Sequence, residues 1–214
     1  MDRSSQDRRR SSFDDPEAEA HFLLAQVRTG ELDLRRLQLY SYFGNEPATL
    51  ALAGRAPERP GKLLPWFVGL GRWGVEPIVP VVIALADRAL PLVEASAREL
   101  YPSAQQIFAA LGPVARGELS AHSLRTLYVP FGRRAYELRR GGDANQPSPL
   151  YSLLVLERAA QVVVALADDD LRRCLGELEW IGRAALAIPR WTDALLLSEL
   201  FAEVLPQLLA QDAP

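Results

Sequence analysis

Cysteine is nearly absent: Cys174 stands alone among 214 residues, which excludes an intramolecular disulfide and a cysteine-anchored zinc site. Histidine is almost as scarce. His21 and His122 lie far apart, no HExxH, CxxC or ExxH spacing occurs, and no histidine neighbours Cys174 to activate it as a nucleophile. A strong charge of either sign is also missing. The formal net charge of −3 gives no electrostatic footprint for nucleic acid or an acidic membrane as the main partner. Of the 24 basic residues only Lys62 is lysine, an arginine bias of the whole composition rather than of a site. The opening stretch MDRSSQDRRRSSFDD lacks the apolar segment of a signal peptide, so a reducing, cytoplasmic setting is expected. No glycine-rich phosphate loop is present, because LPWFVGLGRWG has neither a preceding strand nor the GK[ST] or GxGxxG spacing. No serine sits in a GxSxG elbow, and no segment alternates with period two for long enough to make a strand. No catalytic residue, cofactor or metal is expected.

What remains is apolar and helical. Hydrophobic residues make up 49% of the chain and charged ones 24%, enough to build a core and too apolar for wholesale disorder. Residues 150–167, LYSLLVLERAAQVVVALA, organise the rest. On a helix, Glu157, Arg158 and Gln161 fall on one stripe about 100° wide, which Asp168 extends. The remaining circumference is Leu, Val, Ala and Tyr. A helix so widely apolar must touch several neighbours at once, while Glu157 and Arg158 near its centre argue against a membrane span.

In chain order, residues 1–14 read as a charged, serine-rich disordered tail. Asp15-Pro16 then opens a helix that stops at Gly30; Asp33 caps a second ending at Gly44; Asn45 and Pro47 start a short third closed by Gly54. Residues 15–54 thus form a small helical unit. The prolines at 57 and 60 mark residues 55–62 as a linker, and residues 63–214 form the main body, unless 15–214 is one continuous domain. Residues 76–100 read as a long apolar helix with Pro80 near its start and Pro91 inside, broken at Tyr101-Pro102-Ser103. Another helix follows, disturbed at Gly112-Pro113. Ser120 caps the next, which Pro130 bends and which runs to Arg140; residues 141–149, GGDANQPSP, form a loop. Beyond the central helix, the acids Asp168, Asp169 and Asp170 sit at a helix start, where an N-cap and the helix dipole favour them. A break falls at Pro189, and Thr192 caps a last helix whose apolar positions 195, 196, 200, 201, 204, 205 and 208 trace one face. The fold class is therefore all-α, about nine or ten helices stacked as antiparallel pairs in a helical-repeat or irregular bundle.

Two stretches echo each other. Gly30-Glu31-Leu32 is followed by Leu37, Tyr40, Phe43 and Gly44, and Gly117-Glu118-Leu119 by Leu124, Tyr128, Phe131 and Gly132. Each marks a turn where one helix hands over to the next, as in degenerate helical-hairpin repeats. The first echo, VRTGELDLRRLQLYSYFGNEPATLALAG, resembles the opening of uncharacterised all-helical bacterial proteins over residues 22–54. Some of these resemble predicted immunity proteins of toxin systems. That resemblance implies action by binding a partner rather than by catalysis, and it transfers no functional residue.

Candidate interaction residues come from two places. In residues 63–74 two tryptophans and a phenylalanine lie among glycines, so either helices cross closely there or Trp66, Arg72 and Trp73 are displayed to a partner. Arg133, Arg134, Tyr136, Arg139 and Arg140 make a basic patch with an aromatic, of which 133, 136 and 140 share a face suited to surface ion pairs or an acidic protein partner. Glu157, Arg158 and Gln161, like Asp87 with Arg88, read as polar partners between helices, whereas Glu177 and Glu179 point too far apart to converge. Cys174 reads as a small buried hydrophobe. The function expected is non-catalytic protein interaction, adaptor or inhibitor, with a second copy able to pair through the last helix. Nucleic acid and membrane are not expected partners. The second reading is a small-molecule or enzymatic site between proline-kinked helices, lined by Trp66, Trp73 or Tyr128.

Overall fold

The computed structural model describes residues 15–141 and 148–211. The tail expected over residues 1–14 and most of the loop at 141–149 lie outside the described residues. The fold is all-α, with ten α-helices and two short 3₁₀ turns, and no strand, among the described residues. No helix among them is long and apolar enough to cross a membrane.

Packing divides the chain into two compact units, Met1–Arg59 with Phe201–Pro214, and Pro60–Leu200. The sequence leaves open a main body over residues 63–214 or one continuous domain over 15–214; by packing, the last helix is shared between the units.

The first unit contains α1 (Pro16–Thr29), α2 (Leu34–Tyr42) and α3 (Glu46–Ala51). Each starts on a side chain that satisfies an otherwise orphaned backbone donor. Asp15 accepts from Glu17 N at 3.0 Å, Asp33 from Arg35 N at 3.0 Å and Asn45 from Ala48 N at 2.7 Å. Leu37, Tyr40, Tyr42 and Phe43 fill its core. The Phe43 ring meets Phe201 edge-on at 6.1 Å, and the Arg59 guanidinium covers the other aromatic of that pair, 5.4 Å from the Phe201 centroid.

The second unit contains α4 (Leu63–Leu70), α5 (Ile78–Ser96), α6 (Tyr101–Ala115), α7 (Ala121–Gly141), α8 (Ser148–Ala167) and α9 (Leu171–Leu186); α10 (Asp193–Gln211) lies in it as far as Leu200. Pro102 lies in the first turn of α6, where a proline removes no intrahelical hydrogen bond, so the new helix begins at Tyr101. The helix expected over 76–100 is shorter, closing at Ser96 before a 3₁₀ turn, Arg98–Leu100.

Helix α8 is the centre of this unit, packed against α5, α6, α7 and α9. Leu153, Val155, Leu156, Ala159, Ala160 and the run 162–165 are buried, while Glu157, Arg158 and Gln161 are only half-buried. The polar stripe read from the sequence is thus the one side of α8 that reaches the surface. Contacts between neighbours step in opposite senses: Gly132 lies by Glu157 and Arg125 by Asp168 across α7 and α8, then Arg158 by Glu177 and Asp168 by Arg173 across α8 and α9. These two neighbours therefore run antiparallel to α8.

The two echoing turns share one hydrogen-bond pattern. Gly30 N–H donates to Val27 O, with Glu31 and Leu32 both donating to Gln26 O; Gly117 donates to Val114 O, with Glu118 and Leu119 donating to Pro113 O. Both glycines are left-handed, φ 78° and 72°, which a Cβ would disfavour. After the turns Leu37, Tyr40 and Phe43, like Leu124, Tyr128 and Phe131, are all buried, but Gly44 closes α2 whereas Gly132 lies inside α7.

Candidate functional site

Across the second unit α4 packs on α9, α9 on α8, and α8 on α7. This order separates the two groups of candidate residues, with α9 and α8 standing between them. Trp66 is 0% exposed and so is unavailable to a partner. Its helix crosses α9 closely at glycines: a Cβ on Gly182 would lie 2.7 Å from Leu64 and 2.9 Å from Phe67, and one on Gly71 2.9 Å from Leu175. Close crossing, not display, accounts for the aromatics of residues 63–70. Arg72 is exposed and lies 4.7 Å from the centroid of the half-buried Trp73. Tyr128, named with Trp66 for a pocket, is also buried.

On α7 the candidates stand in the open. Leu124, Tyr128, Phe131 and Ala135 take the buried side, leaving Arg133, Tyr136 and Arg140 exposed. The Arg140 guanidinium sits 5.9 Å from the Tyr136 ring centroid. Arg134 turns elsewhere, to Glu137 at 2.9 Å and Glu99 at 4.0 Å.

Between α7 and α9 lies the polar stripe of α8. Arg158 Nη1 donates to Glu177 at 2.7 Å and to Gln161 at 3.0 Å, and Gln161 Nε2 donates to Glu157 at 3.1 Å. Gly132 admits this chain, because a Cβ there would stand 2.9 Å from the Glu157 carboxyl. At the end of the stripe Asp168 pairs with Arg125 of α7 and lies 3.9 Å from Arg173 of α9. Asp170 accepts from Arg173 N at 2.9 Å as the cap of α9, the role expected for this acid run.

The sequence reading missed the residue that stands out here. Trp180 is 58% exposed, and the Arg158 and Arg183 guanidinium groups lie 5.7 Å and 6.0 Å from its ring centroid. A helical wheel carries the signal: Cys174, Leu178, Ile181 and Ala185 form the buried side, and Trp180 projects roughly opposite, about 200° from Leu178. Arg183 is itself held by Glu179 at 2.6 Å, so Glu177 and Glu179 serve different arginines.

Burial, and then the nearby Asp170 charge, push the Cys174 thiol up to about 12, so it stays protonated. Among the described residues no three His, Cys, Asp or Glu side chains gather as a metal-holding group. On α10, Leu196, Leu200, Val204 and Leu208 of the apolar face are buried, whereas Leu195 is exposed and Phe201 and Leu205 are half-buried. Compared with protein-family models, curated proteins and solved structures, the chain matches none.

Proposed function

We propose that this chain is a non-catalytic protein-interaction module, of adaptor or inhibitor type, that binds a protein partner through the outer side of α7, α8 and α9. The observation that carries the reading is Trp180, a large aromatic left in solvent with two arginines against it. Exposing an indole forfeits a few kcal/mol of burial that core packing would supply. Tryptophan, tyrosine and arginine together are the side chains that dominate binding energy at protein interfaces. The ion-paired floor beneath, from Glu157 to Glu177, holds Arg158 in place and limits the entropy lost on docking.

Partner capture from the source organism, with the intact chain and with Trp180→Ala, tests this. A specific protein partner retained by the intact chain and weakened about tenfold or more by the variant is expected. No specific partner, or one held equally by the variant, would overturn the reading. The substitution lies on an exposed side chain, so the folded state is expected to survive it.

A further inference from the structure

Along α7 the exposed side has a composition of its own. Val129 (41% exposed), Arg133, Tyr136 (51% exposed) and Arg140 follow one another at i, i+4, i+7 and i+11, alternately apolar and cationic. At about 100° per residue these four fall within roughly 60° of one another, a straight seam about 16 Å long. Charge sets this seam apart from its surroundings. Arg125 is paired with Asp168, Arg134 with Glu137, Arg158 with Glu177 and Arg183 with Glu179. Arg133 and Arg140 meet no carboxylate within ion-pair distance among the described residues, although the whole chain is net acidic.

We propose that this seam binds an acidic amphipathic helix of the partner. Its carboxylates recur every seven residues to meet Arg133 and Arg140, and its aliphatic side chains lie against Val129 and Tyr136. The inference rests on the protein-binding reading above and adds the partner's chemistry. Heptad spacing on both sides is what keeps two helices in register over three turns, and complementary charge supplies orientation and on-rate. A second copy of this chain is the poorer occupant: pairing the seam with itself would bring four arginines together, and the seam supplies no carboxylate to meet them.

The test uses two synthetic helical peptides of about three heptads, one with Glu and Leu at seven-residue spacing and one with Lys in place of Glu. Binding to the full chain is followed by fluorescence anisotropy, and its location by backbone amide shifts. The acidic peptide is expected to move signals of residues 129–140, to bind more weakly as salt is raised, and to lose about tenfold or more in affinity to the double variant Arg133→Glu/Arg140→Glu. The lysine peptide is expected not to bind. Equal binding of both peptides, an unmoved α7, or a double variant that binds as tightly would overturn the inference, as would a dimer of the chain formed through α7. If these fail while Trp180→Ala still releases the captured partner, the interaction role stands and only the acidic helix is rejected.

Discussion

Alanine placed at two glycines of the same helix should move stability in opposite directions. Gly182 and Gly176 both lie inside α9, where replacing glycine by alanine stabilises a helix by up to about 1 kcal/mol through the lost freedom of the unfolded chain. At Gly176 nothing lies within 4 Å of the new Cβ, so this gain is realised. At Gly182 the Cβ would stand 2.7 Å from Leu64 Cδ2 and 2.9 and 3.0 Å from two atoms of the Phe67 ring. Leu64 is half-buried and its tip can turn, but Phe67 is 1% exposed and has nowhere to swing. Overpacking of this kind costs about 2 to 3 kcal/mol, which outweighs the helix gain and leaves a net loss of about 1 to 2 kcal/mol. Thermal and urea unfolding followed by far-UV circular dichroism reads the difference. Gly182→Ala is expected to lower Tm by about 2 to 8 °C, and Gly176→Ala to raise it by about 1 to 4 °C. Equal shifts of one sign would refute the claim that glycine is what lets α4 sit so close to α9.

Other consequences are independent of that crossing. Cys174 should resist thiol reagents at pH 8 in the native state and react promptly once urea unfolds the chain; prompt labelling of the native form would contradict its burial. Because folding raises that thiol from its ordinary value of 9.0 to about 12, the protonated form is the one the fold favours. Its contribution is complete below about pH 9 and fades as pH climbs toward about 12, so the stability gap between the intact chain and Cys174→Ala should narrow over that window. Arg158→Ala and Glu177→Ala, on side chains 29% and 16% exposed, should show a coupling of about 1 kcal/mol in a double-mutant cycle of urea unfolding. A coupling indistinguishable from zero would reduce the polar floor to a surface decoration.

What could be read from the sequence was whatever a single helix determines by itself. The all-α class, the caps at Asp15, Asp33, Asn45 and Asp170, and the left-handed glycine at Gly30 are local decisions, made by side chains within a turn of the backbone they serve. The central position of α8 was legible for a related reason. A helix apolar on nearly all sides needs neighbours on all of them, and its polar stripe had to find the one opening. Residues 63–73 were ambiguous because aromatics among glycines fit either close packing or display; the deciding contact, Gly182 against Phe67, comes from a segment far along the chain. Trp180 was passed over because an aromatic in an apolar-rich helix reads as core until the wheel is drawn for α9 itself. The seam on α7 was half seen: Arg133, Tyr136 and Arg140 share a face in the sequence, but which arginines lacked a carboxylate depended on pairings such as Arg125 with Asp168. The buried side of α10 was legible at Leu196, Leu200, Val204 and Leu208, but a single-face pattern reports burial without saying what does the burying.

Hydroxyl-radical footprinting of the captured complex is the most direct trial of the interaction face, because tryptophan and tyrosine side chains report their own exposure. In the free chain Trp180 and Tyr136 should oxidise readily and the buried Trp66 should not. In the complex both exposed rings should become protected while Trp66 remains unreactive. Oxidation of Trp180 and Tyr136 at the same rate with the partner bound would contradict the assignment of α7, α8 and α9 as the surface that does the binding.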